Sequence, residues 1–311
     1  MSDLIEPTVR SVQRTEDRFL PSDVFESRGR AQPPRNGVGV IHEPARDVPV
    51  YHCCDVLVVG GGPSGTAAAW AAAKTGADVV LLERYNHLGG LSTGGLVIWI
   101  DRMTDWTGKQ VIQGFAIDVL DRMPAEGKAG PAREHWGSRD PAVAAYWGSR
   151  TSAFHGIVAW APTIDPERLK IISQEMLLQS KVRIVLHAWM ALPIVEAGRV
   201  TGVFFETKSG RQAIRAKVVV DATGDGDVFA RAGAEFDNDI DEGDVHHSMN
   251  TGFTIGGVDM DRWIAFRTGQ PEQFAAFMTL GRERLGFFQP PYVSWRKDIA
   301  LFLGPRQSGL S

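Results

Sequence analysis

The sequence predicts an α/β fold built on a doubly wound parallel sheet, and three observations predict it. A continuous apolar run, Asp55-Val56-Leu57-Val58-Val59, is followed at once by three glycines. An alanine-rich stretch, Gly65 to Lys74, then leads to a second apolar run that starts at Val79 and is closed by Glu83. Farther on, a helix signal at Asp165 precedes strand-like segments that run to Asp221. Strands buried on both faces of a parallel sheet read as unbroken apolar runs rather than alternating ones, and strands that alternate with helices mark βαβ units.

The elements follow in order. Residues 1–50 are polar, with prolines at 7, 21, 33, 34, 44 and 49, and show neither strand nor helix periodicity. They predict an extended N-terminal arm. The first strand ends at glycines 60–62, and the alanine-rich helix after it has high intrinsic propensity and stops at Gly76. Residues 96–160 hold five of the nine tryptophans and only weak periodicity. Asp165 is an N-cap and Pro166 a first-turn proline, opening a helix to about Gln179 with Leu169, Ile172, Met176 and Leu177 on one side. Val182 to Leu186, Gly202 to Thr207 and Ile214 to Val220 read as a strand, part of a small antiparallel meander and a returning strand. The predicted organisation is an arm (1–50), one domain from 51–100 and 161–240, and a second from 101–160 and 241–311. The second domain interrupts the first and looks incomplete at its C-terminus.

Composition narrows the function classes. The net charge of −4, with basic residues scattered along the chain, excludes a nucleic-acid binder with a concentrated basic face. The N-terminus is charged and lacks an apolar signal region, and no apolar stretch is long enough to span a membrane. A cytoplasmic protein is expected. The two cysteines, Cys53 and Cys54, are too close in sequence for an ordinary disulfide. His246 and His247 have no third metal ligand nearby, so no metal site is predicted.

The chemistry begins with Gly60-x-Gly62-x-x-Gly65, set between a buried strand and a helix, with Glu83 closing the next strand. Gly60 permits the tight turn, Gly62 lets backbone approach a pyrophosphate, and Gly65 lets helix and strand pack closely. The helix N-terminus, with Pro63 and Ser64, offers unpaired amides to phosphate. Glu83 can accept ribose hydroxyls and would repel the 2′-phosphate of NADP, which leaves NAD and FAD. A second glycine cluster, Gly89 to Gly95 with Ser92 and Thr93, and a return motif, Ala222-Thr223-Gly224-Asp225, favour the longer ligand, FAD.

The run from Asp55 to Gly95 resembles the FAD-binding start of glutathione-reductase-type flavoproteins. It is most similar to FAD-dependent oxidoreductases related to fumarate reductase and succinate dehydrogenase flavoprotein subunits. The segments IDPERLK, RVTGVFFETKSGR, KVVVDATGDGDVFARAG and FTIGGVD resemble the same family in the same order. The resemblance implies that Gly60, Gly62, Pro63, Ser64 and Gly65 hold the pyrophosphate, and that Glu83 and Arg84 serve the adenosine ribose side. Gly89, Gly90, Ser92 and Thr93 would face the ribityl phosphate, backbone near Ala188 to Met190 the adenine, and Ala222, Thr223, Gly224 and Asp225 the pyrophosphate and ribose edge. The absence of a C-x-x-x-x-C pair excludes disulfide reductase chemistry. His87-Leu88-Gly89-Gly90-Leu91 replaces the family's usual Arg-x-Gly-Gly-Arg form. The family's closing strand and helix at the flavin ring are not recognisable, which implies a second polypeptide or a longer chain.

These readings predict an FAD-dependent oxidoreductase that passes a hydride between a small organic substrate and flavin N5. An NAD-dependent dehydrogenase and a noncatalytic FAD-binding subunit are the alternatives. Catalytic candidates are His247, His155 and Asn250, since flavin chemistry commonly pairs hydride transfer with a base; for each, an ordinary hydrogen-bonded or surface role is the competing reading. His87 could tether the flavin, although a noncovalent loop role suits it better. Trp136-Gly137-Ser138-Arg139 recurs as Trp147-Gly148-Ser149-Arg150, so Arg139 and Arg150 could clamp an anion. Two chance loop endings explain the repeat more simply.

Overall fold

A computed structural model describes residues 42–236, 249–287 and 289–307. Most of the predicted arm, together with His246 and His247, lies outside the described residues. The principal elements are β1 (Val50–Val59), α1 (Pro63–Lys74), β2 (Val79–Leu82), α2 (Phe115–Arg122), α3 (Pro141–Gly148) and α4 (Pro166–Gln179). They continue with β3 (Arg183–Val185), β4 (Trp189–Glu196), β5 (Arg199–Thr207), β6 (Gly210–Asp221) and α5 (Asp227–Arg231). Then come β7 (Met249–Gly256), α6 (Met260–Gly269), α7 (Pro271–Leu285), β8 (Tyr292–Val293) and β9 (Ile299–Gln307).

The main sheet has six strands in the order β3-β2-β1-β6-β5-β4. The first four are parallel, and β6-β5-β4 is an antiparallel meander, so the fold is the expected α/β architecture. Strand alternation sorts the apolar runs into two layers. Val58, Val79 and Leu81 face Ala69 of α1 and Leu177 of α4. Leu57, Val59, Val80 and Leu82 face Met190, Val203, Phe205 and Ile214 of the meander. Helices therefore cover one face, and the curled meander covers the other.

Strand β4 is the element the sequence hides. Pro193 sits in its middle, and proline removes a ladder donor, which argues against a central strand. The objection does not apply here because β4 is the edge of the sheet. The turn into β5 is Ala197-Gly198, both at positive φ (49° and 74°), the geometry that matches hairpin twist. Strand β1 also starts earlier than expected, because the long β6 offers Ala213 as a partner to Val50. Cys53 and Cys54 are both free, Cys53 exposed and Cys54 buried. Burial pushes the Cys54 thiol up to about 11.

Helix α4 begins as the sequence predicts: Asp165 Oδ1 accepts from the Glu167 and Arg168 amides at 2.9 and 3.4 Å. It serves two cores. Leu177 belongs to the helical layer of the main sheet. Leu169, Ile172 and Met176 pack instead with Ile98, Met103, Val119, Leu120 and Met123, and with Leu301 of β9. The segments on either side of the main sheet's strands thus share one core, over which the small antiparallel sheet β7-β9-β8 lies. No helix among the described residues is long and apolar enough to cross a membrane.

Candidate functional site

Register fixes the site. Val59 at the end of β1 pairs with Leu82 of β2 on one side and with Asp221 of β6 on the other. Gly60, Glu83 and Ala222 therefore emerge together at one edge of the sheet, where α/β folds bind their ligands. Backbone bonds hold the three exits: Gly60 N donates to Leu82 O, and Ala222 N donates to Val59 O, both at 2.8 Å.

The glycine loop is shaped by close contact. Gly60 has φ +100°, and a Cβ there would lie 2.2 Å from the Ala222 carbonyl oxygen. A Cβ on Gly65 would lie 1.8 Å from the Gly60 carbonyl oxygen. Gly62 is different, because a Cβ there meets nothing within 4 Å. Gly62 is also the N-cap of α1 and brings no side-chain cap. The first amides of α1, at Ser64 and Gly65, thus start the helix without a side-chain acceptor, beside an open glycine and with no acidic residue in the first turn.

Glu83 is only 5% exposed, and both its oxygens are engaged. Oε2 accepts from Gly61 N at 2.5 Å and Oε1 from Tyr85 N at 2.8 Å. The carboxylate pins the glycine loop to the end of β2, and each oxygen keeps a lone pair for a further donor. Gly61, only a spacer in the motif, is itself confined: a Cβ there would lie 2.7 Å from Leu88 Cδ2 and 2.9 Å from Glu83 Oε2.

The return loop is organised by Asp221. Its Oδ1 accepts from Thr223 N and Thr223 Oγ1 at 3.1 and 2.8 Å, and its Oδ2 accepts from Val228 N and Phe229 N at 2.9 and 3.0 Å. Asp221→Ala would strand those donors and is expected to lower stability by about 2–3 kcal/mol. Urea denaturation measures that loss.

These loops enclose a cavity of about 760 Å³, within the usual range for small-ligand sites. Of the predicted cofactor residues, Gly60, Gly62, Pro63, Ser64, Glu83, Arg84, Gly90, Met190, Ala222, Thr223, Gly224 and Asp225 line it. Gly65, Gly89, Ser92 and Thr93 do not. Gly65 lies beneath the loop against Gly60, where its lack of a side chain lets α1 approach. Gly89 N donates to Gly61 O at 2.8 Å and supports the loop from behind. Thr93 is buried and donates its hydroxyl to Leu88 O at 2.7 Å, and Ser92 sits beside it on the short turn Gly90–Ser92.

Sequence reasoning missed Tyr85 in the lining, and for the segment Ala188 to Met190 it expected backbone rather than the Trp189 ring. The Arg84 guanidinium lies over both rings, 4.9 Å from the Tyr85 centroid and 5.4 Å from that of Trp189. An aromatic residue next to Arg84 was the available signal; Trp189 was hidden with β4. His87 also lines the cavity, stacked on Tyr85 with ring centroids 5.9 Å apart.

Of the catalytic candidates, His155 and Asn250 do not line the cavity. His155 occupies the two-residue turn His155-Gly156 between Phe154 and Ile157, at φ +51°, exposed and edge-on to Trp106. Asn250 is exposed on β7, paired in register with Arg306, and His247 lies outside the described residues. Arg150 is not a free anion clamp either: its guanidinium stacks on Tyr146 and pairs with Asp261 at 3.2 Å. Among the described residues no cluster of His, Cys, Asp and Glu could hold a metal.

A larger cavity, about 840 Å³, lies between α6, α7 and the small sheet, lined mainly by apolar side chains such as Trp263, Phe266, Phe277, Phe287 and Phe302. It holds none of the glycine-loop groups, and the α6 N-terminus on its wall is already capped by the Asp259 carboxylate, which accepts from Arg262 N.

Comparison with known proteins gives four findings. The sequence profile of the family described as FAD dependent oxidoreductase matches residues 55–297. The chain is 28% identical over 174 residues to digeranylgeranylglycerophospholipid reductase 2 of Methanopyrus kandleri, covering 55% of this chain and 37% of that protein. It is 44% identical over 69 residues to thiamine thiazole synthase of Desulfosudis oleivorans, covering 22% of this chain and 24% of that one. Each match spans less than half of the relative's length. Among solved structures, a geranylgeranyl bacteriochlorophyll reductase-like protein from Thermoplasma acidophilum aligns with TM-score 0.43 at 18% identity, covering 68% of this chain and 48% of that one.

Proposed function

Because the chain belongs to the FAD dependent oxidoreductase family, we propose that its glycine-lined cavity holds the ADP half of FAD and that the protein transfers a hydride between a small organic substrate and the flavin. The observation that carries the reading is the convergence of Gly60, Glu83 and Ala222 beside the uncapped start of α1. The fit is chemical. The Ser64 and Gly65 amides would receive the pyrophosphate over the open Cα of Gly62. Glu83 would accept the adenosine ribose hydroxyls with the lone pairs left by Gly61 and Tyr85. Arg84, Tyr85, Trp189 and Met190 would form the adenine end, and Gly90 to Gly95 the ribityl side. When bound, FAD supplies a two-electron acceptor at N5. The residues described here bind and orient.

The finer kinship with glutathione-reductase-type flavoproteins and fumarate reductase flavoprotein subunits belongs to this proposal, supported by the order of the matching segments. So does a second polypeptide that closes the ring side of the flavin. Exposed Ile255, Leu280 and Leu285 on β7 and α7 support it. The NAD-dependent alternative receives no support from the family match.

The test is an absorption spectrum of the purified protein beside a denaturing gel. Flavin bands that bleach anaerobically on reduction, with flavin released by denaturation, are the expected result. A colourless protein that fails to take up added FAD yet binds NAD saturably would sink the proposal. An unlike chain on the gel would identify the closing partner.

A further inference from the structure

His87 presents an unusual combination at the cavity wall. Its Nε2 is buried and has no hydrogen-bond partner among the described residues. Its Nδ1 lies 2.6 Å from the Asn86 side-chain oxygen, which can only accept, so Nδ1 carries the ring proton and Nε2 is left as a bare acceptor. Burial, with Lys170 nearby, holds the imidazole below its ordinary range against the opposing pull of Glu83 and Glu167. The ring stacks on Tyr85. It is also packed against Gly94, where a Cβ would lie 2.6 Å from Nε2. Tautomer and charge state both follow, and a buried acceptor left unpaired is a standing penalty that a ligand donor would remove once the ring turns Nε2 from Gly94 toward the cavity.

Resting on the FAD reading above, we infer that His87 is a positioning residue for the cofactor: neutral, with Nε2 accepting a hydrogen bond from a sugar or ribityl hydroxyl of bound FAD. A phosphate is not the partner, because it has no proton to give at neutral pH and would require a charged imidazole. Arg84, the cation on the same stretch, is exposed over Tyr85 and Trp189 and points to the adenine end instead.

The sign of the pH dependence separates the two possibilities. A neutral acceptor must lose its proton for FAD to bind, so affinity is flat at high pH and weakens as pH falls through the lowered pKa of His87. The limiting slope is about one decade per pH unit. A charged donor to phosphate gives the opposite trend. The experiment is titration of the apoprotein with FAD, followed by flavin fluorescence across pH, for the wild type, His87→Phe and His87→Gln. Phe keeps the ring stack and removes the acceptor, and Gln restores an acceptor that does not titrate. The expected result is FAD binding roughly 3- to 10-fold weaker in His87→Phe. That variant should also lose the wild-type pH step, and His87→Gln should regain most of the affinity without the step. Every other group is common to all three proteins, so the difference between curves isolates His87. Equal affinity and equal pH profiles in wild type and His87→Phe would overturn the role of His87 while leaving the FAD reading standing. Tighter binding at low pH, or flavin that remains on the denatured wild-type chain but not on His87→Phe, would overturn it also. Failure of the wild type to bind FAD at any pH would instead strike the proposed function.

Discussion

Gly60→Ala is expected to abolish FAD retention and to lower stability by about 2–4 kcal/mol, whereas Gly62→Ala is expected to impair the first and leave the second almost unchanged. The two glycines stand two residues apart in one motif, yet they meet opposite surroundings. At Gly60 the backbone is at φ +100°, which side chains rarely adopt, and the new methyl would lie 2.2 Å from the Ala222 oxygen and 2.9 Å from Thr223 N. Nothing there can yield except backbone, so the β1 exit and the return loop must separate. At Gly62 the backbone is extended at φ −68°, and the methyl meets open space. The fold tolerates it, but the methyl occupies the approach of the pyrophosphate to the start of α1. FAD affinity should fall roughly 10- to 100-fold. Urea denaturation of both apoproteins beside FAD titration measures the two effects separately. Equal FAD affinity in Gly62→Ala and the wild type would remove the pyrophosphate from this loop.

Glu83→Ala is the second large effect. Its carboxylate is nearly buried and receives the Gly61 and Tyr85 amides. Truncation leaves both amides without an acceptor and unpins the glycine loop, a loss of about 2–4 kcal/mol. Binding should suffer further, because the ribose loses its acceptor as the loop loses its anchor; a weakening of roughly a hundredfold or more is expected. Glu83→Gln is the informative companion. It keeps the volume and one acceptor oxygen but turns an N–H₂ toward one of the two amides, so it should fall between wild type and Glu83→Ala in both measurements. A Glu83→Gln protein as stable as the wild type would show that the pinning is not electrostatic.

The parallel half of the fold was legible because its strands are buried on both faces, and unbroken apolar runs advertise that burial in sequence. The meander was only partly legible, because Pro193 argued against a strand whose edge position makes proline harmless. The insert was least legible. It is held by long-range pairings such as Trp99 with Thr163, and by the stack of Trp136 on Trp160 at 4.5 Å. Contacts of that kind leave no period. The repeated Trp-Gly-Ser-Arg shows the limit of local reading: Gly137 backs onto Thr107 and Gly108, while Trp147 lies in the last turn of α3 and hydrogen-bonds His135 at 3.3 Å.

The site divides in the same way. The glycines and Glu83 could be read from spacing, since a short motif suffices to define them. Gly61, Tyr85 and Trp189 could not, because what constrains them is a neighbour on another segment: Leu88 and Glu83 for the first, Arg84 for the other two. His155 shows the converse. It satisfies a turn geometry, a demand that its chemistry does not announce.

Helix α4 carries one further consequence. Because Leu177 is clamped in one core and Leu169, Ile172 and Met176 in the other, neither core can loosen without loosening the helix they share. The main sheet and the tryptophan-rich segment should therefore behave as one foldon in hydrogen exchange, with the α4 amides among the slowest to acquire deuterium. Any breathing that admits a substrate must then pivot about segments outside this helix.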